Sequence, residues 1–279
     1  MTRFGFEEVS ALMEFETKED GYEIELPSEP KSKHGDIYAL GNHRLMCGDS
    51  TRLSDVESLM NGAVADMLLT DPPYNVDYEG ATDEKLKMQN DNMSEKDYGE
   101  FLKNAFSCLN NVLKPGGSFY IWHADTHTVP VRLALAETGL KVRECLIWVK
   151  NTFVLGRQDY QWKHEPCLYG RRSGEAHYFV NDRSQSTVLE VEKPAKNDLH
   201  PTMKPIKLLS PLIVNSSHKG EIVLDLFGGS GSTLIACEQL GRICYTMEFD
   251  PKYCDVIIDR WENLTGQKAS KVICGQELQ

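Results

Sequence analysis

Apolar positions along this chain follow two alternating rhythms. Arg44-Leu45-Met46-Cys47 is a short apolar run that stops at Gly48-Asp49, as a strand stops at a turn. Leu53, Val56, Leu59 and Met60 then recur at helical spacing, and Gly62 suits the position just past a helix end. Ala63 to Thr70 is almost continuously apolar, the pattern of a strand buried on both faces, and it ends at Asp71-Pro72-Pro73-Tyr74. From Val76 to Ser94 the chain is polar and aperiodic, and loops of that length are usually functional or disordered. Tyr98, Phe101, Leu102, Ala105, Leu109 and Val112 mark a helix stopped by Pro115-Gly116-Gly117. Strand Ser118–Trp122, helix Val129–Glu137 and strand Lys141–Val149 follow. Residues 150–199 break the alternation with a mixture of aromatic, basic and short polar pieces. It resumes with a helix over about Pro205–Val214, strand Ile222–Leu226, a glycine loop, helix Ser232–Leu240, strand Arg242–Met247 and a helix from Pro251. Repeated strand–helix units predict an α/β fold, a doubly wound and mostly parallel sheet with helices on both faces.

Composition changes this picture only in places. At 279 residues, 41% hydrophobic and 26% charged, the chain is an ordinary globular protein with enough length for a sizeable core. Its formal charge of −12 counts against a nucleic-acid binder, because neutralising phosphates needs a basic surface. The charge is uneven, however. Nine acids and two bases in residues 1–30 account for −7, while Lys141–Arg172 carries seven bases and three acids. Residues 1–34 therefore read as an acidic N-terminal extension, outside a fold that begins near residue 35. The opening residues offer no apolar stretch for a signal peptide, and no apolar run is long enough to span a membrane. Eight cysteines are scattered without a C-x-x-C pair, so reduced core thiols and a cytoplasmic setting are expected. His123 and His127 are four apart, but Ala124 stands where a zinc-protease pattern needs Glu; no metal is expected.

Two motifs carry chemistry. Asp225-Leu226-Phe227-Gly228-Gly229-Ser230-Gly231 closes a buried strand with glycines and opens a helix, the geometry of a nucleotide or cofactor cradle. It has no Walker lysine, and Leu234 stands where a dinucleotide fingerprint needs its third glycine. Glu248, at the end of the following strand, is placed to accept both hydroxyls of a ribose. In Asp71-Pro72-Pro73-Tyr74 the prolines remove backbone donors, so one carboxylate and one carbonyl stand free to receive the two N–H bonds of a flat exocyclic amine. Tyr74 offers a ring for stacking.

With these motifs the chain resembles an amino-group DNA methyltransferase of the N6-adenine/N4-cytosine type, in the permuted β-class order. The D-P-P-Y turn comes first, a target-recognition region second and the F-x-G-x-G cofactor motif last. Gly48-Asp49-Ser50, Lys114-Pro115-Gly116-Gly117, Trp148-x-Lys150 and His200-Pro201-Thr202-Met203-Lys204-Pro205 match further family elements. The resemblance covers about residues 35–265 and is similar to phage-type methylases that often carry a ParB-like domain. It implies a Rossmann-like sheet in circularly permuted order: a catalytic half over 35–149, a recognition region over 150–199, a cofactor half over 200–265 and a tail over 266–279.

The resemblance also implies S-adenosylmethionine as cofactor, held by Phe227, Gly228, Gly229, Ser230 and Gly231, with Glu248 on the ribose and Asp49 on the adenine. Asp225 and Asp71 would border that site, and Thr202 and Lys204 would lie near the methionine end. Asp71, Pro72, Pro73 and Tyr74 would grip a flipped-out target base. In this family Asp at the first position usually accompanies adenine and Ser cytosine, so site-specific N6-adenine methylation is the favoured reading and N4-cytosine the alternative. Arg157, Lys163, Arg171 and Arg172 are the candidate DNA contacts. DNA is the expected partner, in a bacterial or phage-infected cytoplasm; a homodimer is left open, and a membrane is not expected. Two other readings fit less well. A protein-glutamine methylase would have Asn before P-P-Y, and a catalytically idle DNA-binding module would not need an intact catalytic turn.

Overall fold

The computed structural model describes residues 17–76, 92–154, 159–192 and 203–272. The chain forms β1 (Ile37–Leu40), β2 (His43–Cys47), α1 (Leu53–Met60), β3 (Ala65–Thr70), α2 (Glu95–Val112), β4 (Leu113–Trp122) and α3 (Thr128–Thr138). Then come β5 (Leu140–Val154), β6 (Trp162–Arg172), β7 (Val188–Glu190), α4 (Ile206–Ser216), β8 (Ile222–Asp225), α5 (Ser232–Leu240), β9 (Ile243–Glu248), α6 (Pro251–Thr265) and β10 (Ser270–Lys271). Within the described residues all these strands join one sheet, in the order β10-β1-β2-β9-β8-β3-β4-β6-β5-β7. Strands β2, β9, β8, β3 and β4 are parallel, so their carboxyl ends share one edge.

Side chains alternate across this sheet with the two-residue period of a strand. Met67, Leu69, Val223, Tyr120 and Trp122 face a core closed by α4, α5 and α6. Leu68, Leu224, Phe119 and Ile121 face the opposite core, under α1, α2 and α3. Burial on both faces explains why β3 reads as an almost continuous apolar run, interrupted only by Asp66, rather than an alternating one. The helix ends follow local chemistry. Ser94 accepts the Asp97 N–H to start α2, and Asp250 accepts that of Lys252 to start α6. Asn61 and Gly62, both left-handed, end α1.

The structure differs from the sequence reading in two places. The stretch 150–199 contains β6, a strand of the sheet itself, antiparallel to both β4 and β5. A hairpin reverses the chain here without a helix, so the strand–helix rhythm is lost although Cys167 and Leu168 are fully buried. Residues 17–34 are not an appendage either. Lys18 exchanges hydrogen bonds with Gln239 of α5, and Lys31 and Ser32 donate to Asp255 of α6. Tyr22 donates to Asp259 of the same helix.

Candidate active site

The carboxyl ends of the parallel strands open onto one cavity beside the β3–β8 pair, where the two halves of the chain meet. Ligands bind in α/β sheets at such a switch point. Asp49, Asp71, Pro73, Asp225, Phe227, Gly228, Gly229, Ser230 and Glu248 line it, together with Phe101, Trp122, Lys204, Phe249 and Tyr253. Ten of the expected residues share this cavity: Asp49, Asp71, Pro73, Lys204, Asp225, Phe227, Gly228, Gly229, Ser230 and Glu248.

The glycine loop is shaped for close approach. A β-carbon on Gly228 would sit 2.6 Å from Thr246 Oγ1, so no larger residue fits there. Gly229 and Gly231 hold φ of +52° and +86°, a backbone that favours glycine. Glu248 accepts the N–H groups of Gly229 at 2.7 Å and Asp250 at 2.9 Å, one on each oxygen. Burial nevertheless raises its carboxyl to about 7, against the lowering effect of those two amides. Asp225 is likewise raised to about 7 by burial; its Oδ1 accepts Thr70 Oγ1 at 2.8 Å and the Phe227 N–H at 3.1 Å. Asp225 thus braces the end of β3 to the start of the glycine loop. Asp49 reaches the cavity wall, with Oδ1 already accepting the Thr51 N–H and hydroxyl at 2.9 and 2.6 Å.

At the catalytic turn four charges are packed together. Lys204 Nζ lies 2.5 Å from Asp71 Oδ2, 3.0 Å from the Tyr74 hydroxyl and 3.1 Å from Glu165 Oε2. Lys150 pairs with the other Glu165 oxygen, and the Tyr74 hydroxyl donates to Glu165 at 3.3 Å. Lys204 also stands 5.3 Å from the centres of the Tyr74 and Trp122 rings. Burial raises the Asp71 carboxyl, an effect that Lys204 opposes. Burial pushes Glu165 the same way, yet Lys204 and Lys150 overcome it and hold that carboxyl at about 2. Lys204 loses by burial but is held above its usual range by Asp71 and Glu165, and so stays charged. Two buried side-chain atoms here have no hydrogen-bond partner among the described residues, Asp71 Oδ1 and Trp122 Nε1. A buried carboxylate oxygen without a donor is short of one partner. The Pro73 carbonyl is taken by the Tyr98 hydroxyl at 3.0 Å.

Lys204, expected near the methionine end of the cofactor, lines the same cavity and pairs with Asp71. Other expected residues lie elsewhere. Lys163 is exposed near the start of β6, at the cavity end of the sheet, because β6 runs opposite to β4. For the same reason Arg171 and Arg172 end at the opposite edge. Arg171 contacts His177 and Arg172 donates to the Leu113 carbonyl, so these two are not brought to the site. Thr202 and Arg157 fall outside the described residues. Glu165 and Lys150 went unread as site residues because their partner, Lys204, is distant in sequence.

Residues 65–259 match the DNA methylase family of N6/N4 amino-methyltransferases. The chain belongs to that family. Type II methyltransferase M.HpaI of Haemophilus parainfluenzae is 27% identical over 246 residues, covering 80% of this chain and 75% of that protein. The putative methylase YubD of Escherichia coli K12 is 31% identical over 213 residues, or 75% and 86% of the two chains. Among solved structures, the fold is shared with the M1.HpyAVI–SAM complex, with a TM-score of 0.59 at 20% identity, covering 77% of this chain and 97% of that one. It is also shared with PvuII DNA methyltransferase, described as cytosine-N4-specific, with a TM-score of 0.62 at 17% identity and coverage of 87% and 94%. Family membership makes the protein a DNA methyltransferase acting on an exocyclic amine.

Proposed function

We propose that this protein methylates the N6 amine of adenine at a specific DNA site, with S-adenosylmethionine as donor. The observation that carries the reading is the Asp71 carboxylate at the end of β3, on the wall of the same cavity as the glycine loop and ion-paired with Lys204. The cavity fits the cofactor by its lining: a glycine loop that presents bare backbone at Gly229, where nothing lies within 4 Å of a β-carbon position, and a buried carboxyl, Glu248, proposed for the ribose. When bound, S-adenosylmethionine supplies a methyl group on a sulfonium, an electrophile that needs no nucleophile from the protein. Phe227 to Gly231 and Glu248 are the residues assigned to hold it.

What remains for the chain is to activate the amine. Its lone pair is delocalised into the ring and is a poor nucleophile. The Asp71 carboxylate and the Pro72 carbonyl accept its two N–H groups and draw it towards tetrahedral geometry, so orientation and electrostatics carry the rate. Flipping the base costs a few kcal/mol, and stacking on an aromatic ring such as Tyr74 returns about 1–3 kcal/mol. Tyr74 is fixed for this by its hydroxyl, which is tied to Lys204 and Glu165. Lys163, exposed near the start of β6, and Arg157 remain the proposed DNA contacts. The choice of adenine rests on Asp71, the residue that accompanies adenine in the resemblance. Transfer of labelled methyl to DNA followed by nucleoside chromatography tests it: label in N6-methyladenine is expected, and label in N4-methylcytosine would overturn the assignment.

Cofactor affinity should also follow pH through Glu248. In the free protein this carboxyl titrates at about 7, whereas ribose hydroxyls donate best to its ionised form. Binding therefore releases a proton, and affinity weakens as pH falls through 7. From pH 8 to pH 6 the S-adenosylmethionine Kd should rise by about tenfold, since one pH unit is a factor of ten below the pKa. Calorimetric titration across that range checks this, and Glu248→Gln should bind more weakly with a flat profile.

A further inference from the structure

Residues 19–26 cross the outer side of the cofactor cavity and are tied to both of its walls. Asp20, Tyr22, Ile24 and Leu26 turn towards the protein, while Gly21, Glu23 and Glu25 between them are exposed. This is the two-residue period of an extended chain with one face covered. Ile24 and Leu26 line the cavity opened by the glycine loop. The anchors come just before them. The Glu19 carboxylate accepts the N–H groups of Ile206 and Lys207 at 3.2 and 3.0 Å, capping α4, which otherwise has no side-chain cap. That cap lies two residues beyond Lys204, on the wall that holds Asp71. Asp20 makes a two-point pair with Arg260, Oδ2 to Nε at 2.6 Å and Oδ1 to Nη2 at 3.0 Å.

Arg260 is 1% exposed, and its remaining nitrogen faces the glycine loop. Nη1 donates to the Ser230 carbonyl at 3.0 Å and lies 3.3 Å from the hydroxyls of both Ser230 and Ser232. A buried guanidinium is stable only when its charge is paired, so Asp20 is what lets Arg260 stand under the loop. Neighbouring residues of one segment thus reach the helix that follows Lys204 and the loop that cradles a cofactor.

We propose that residues 19–26 are a working part of the S-adenosylmethionine site: Ile24 and Leu26 cover the bound cofactor, and Asp20 with Arg260 is the positioning pair that keeps the glycine loop in its binding shape. The segment read from sequence as an acidic appendage thereby becomes the outer wall of the site. This rests on the cofactor assignment but not on the choice of target base.

Calorimetry on the full chain with S-adenosylmethionine and with S-adenosylhomocysteine tests it. Ile24→Ala/Leu26→Ala should weaken both ligands about tenfold while the melting temperature of the cofactor-free protein is unchanged. Asp20→Asn, nearly isosteric, should weaken them by a similar factor. Kd values within twofold of the parent in both variants would overturn the proposal. Hydrogen exchange on the unaltered protein gives a readout free of folding defects: backbone amides of residues 20–26 should slow on cofactor saturation, and unchanged exchange would refute the role. Failure of the unaltered protein to bind either ligand would instead remove the cofactor assignment beneath it.

Discussion

Asp71→Ala is expected to lower methyl transfer at least about a thousandfold, the scale of removing a group that acts in the transition state. That corresponds to about 4 kcal/mol of lost stabilisation. The variant should still fold and bind S-adenosylmethionine. Lys204 keeps Glu165 at 3.1 Å and two aromatic rings at 5.3 Å, so losing Asp71 does not strand its charge. Asp71→Asn separates the two functions of the carboxylate. The amide retains one oxygen to accept an N–H but loses the charge that strengthens the bond, so a smaller loss, about a hundredfold, is expected from a charge-assisted bond turned neutral. Single-turnover rates with saturating cofactor, alongside calorimetric Kd values, measure both variants. Turnover by Asp71→Ala within tenfold of the parent, at equal cofactor affinity, would remove Asp71 from the chemistry.

The fold was legible because its parallel strands are buried on both faces and therefore leave nearly continuous apolar runs, as in Met67–Leu69 and Ile222–Leu224. The catalytic turn and the glycine loop were legible because proline and glycine punctuate strand ends, and strand ends are where such sheets place their sites. What escaped the sequence was everything held by pairing across the fold. Arg171 and Arg172 read as basic residues in an aromatic stretch, but strand direction decides which edge they reach, and that direction is set by a hairpin without a helix. Glu165 sits in the same strand and reaches the site for the same reason. The acidic end read as an appendage because charge was counted rather than placed. Tyr22, Ile24 and Leu26 already alternate with Gly21, Glu23 and Glu25, which is the signal of a covered extended chain. Asp20 gives no such signal, since its partner lies 240 residues away.

The buried charges behind the catalytic turn set the second large effect. Glu165 carries two ammonium groups, Lys150 and Lys204, and its carboxyl is held at about 2 against an ordinary value of 4.5. A carboxyl depressed on folding contributes stability that is fully present above its unfolded pKa and lost as pH falls through the folded one. Glu165 therefore stabilises the fold above about pH 4.5 and stops doing so towards pH 2, by about 3 kcal/mol for a shift of this size. Glu165→Gln removes that contribution at neutral pH, leaving Lys150 without its carboxylate and Lys204 with Asp71 alone. Breaking a buried pair on one side costs about 3–5 kcal/mol, which for a chain of this size lowers the melting temperature by roughly 10 °C. The loss should be large at pH 7 and shrink on acidification, because the parent gives up the same term there. Activity should fall as well, since Lys204 then shifts its whole charge onto Asp71, and a carboxylate gripped more tightly from behind accepts an amine less well. Lys150→Met/Glu165→Leu, which removes that pair together, should recover part of the melting temperature without recovering the rate. Melting curves across pH, set beside single-turnover rates for the three proteins, measure this; equal melting temperatures for parent and Glu165→Gln at pH 7 would show that the cluster does not hold the site together.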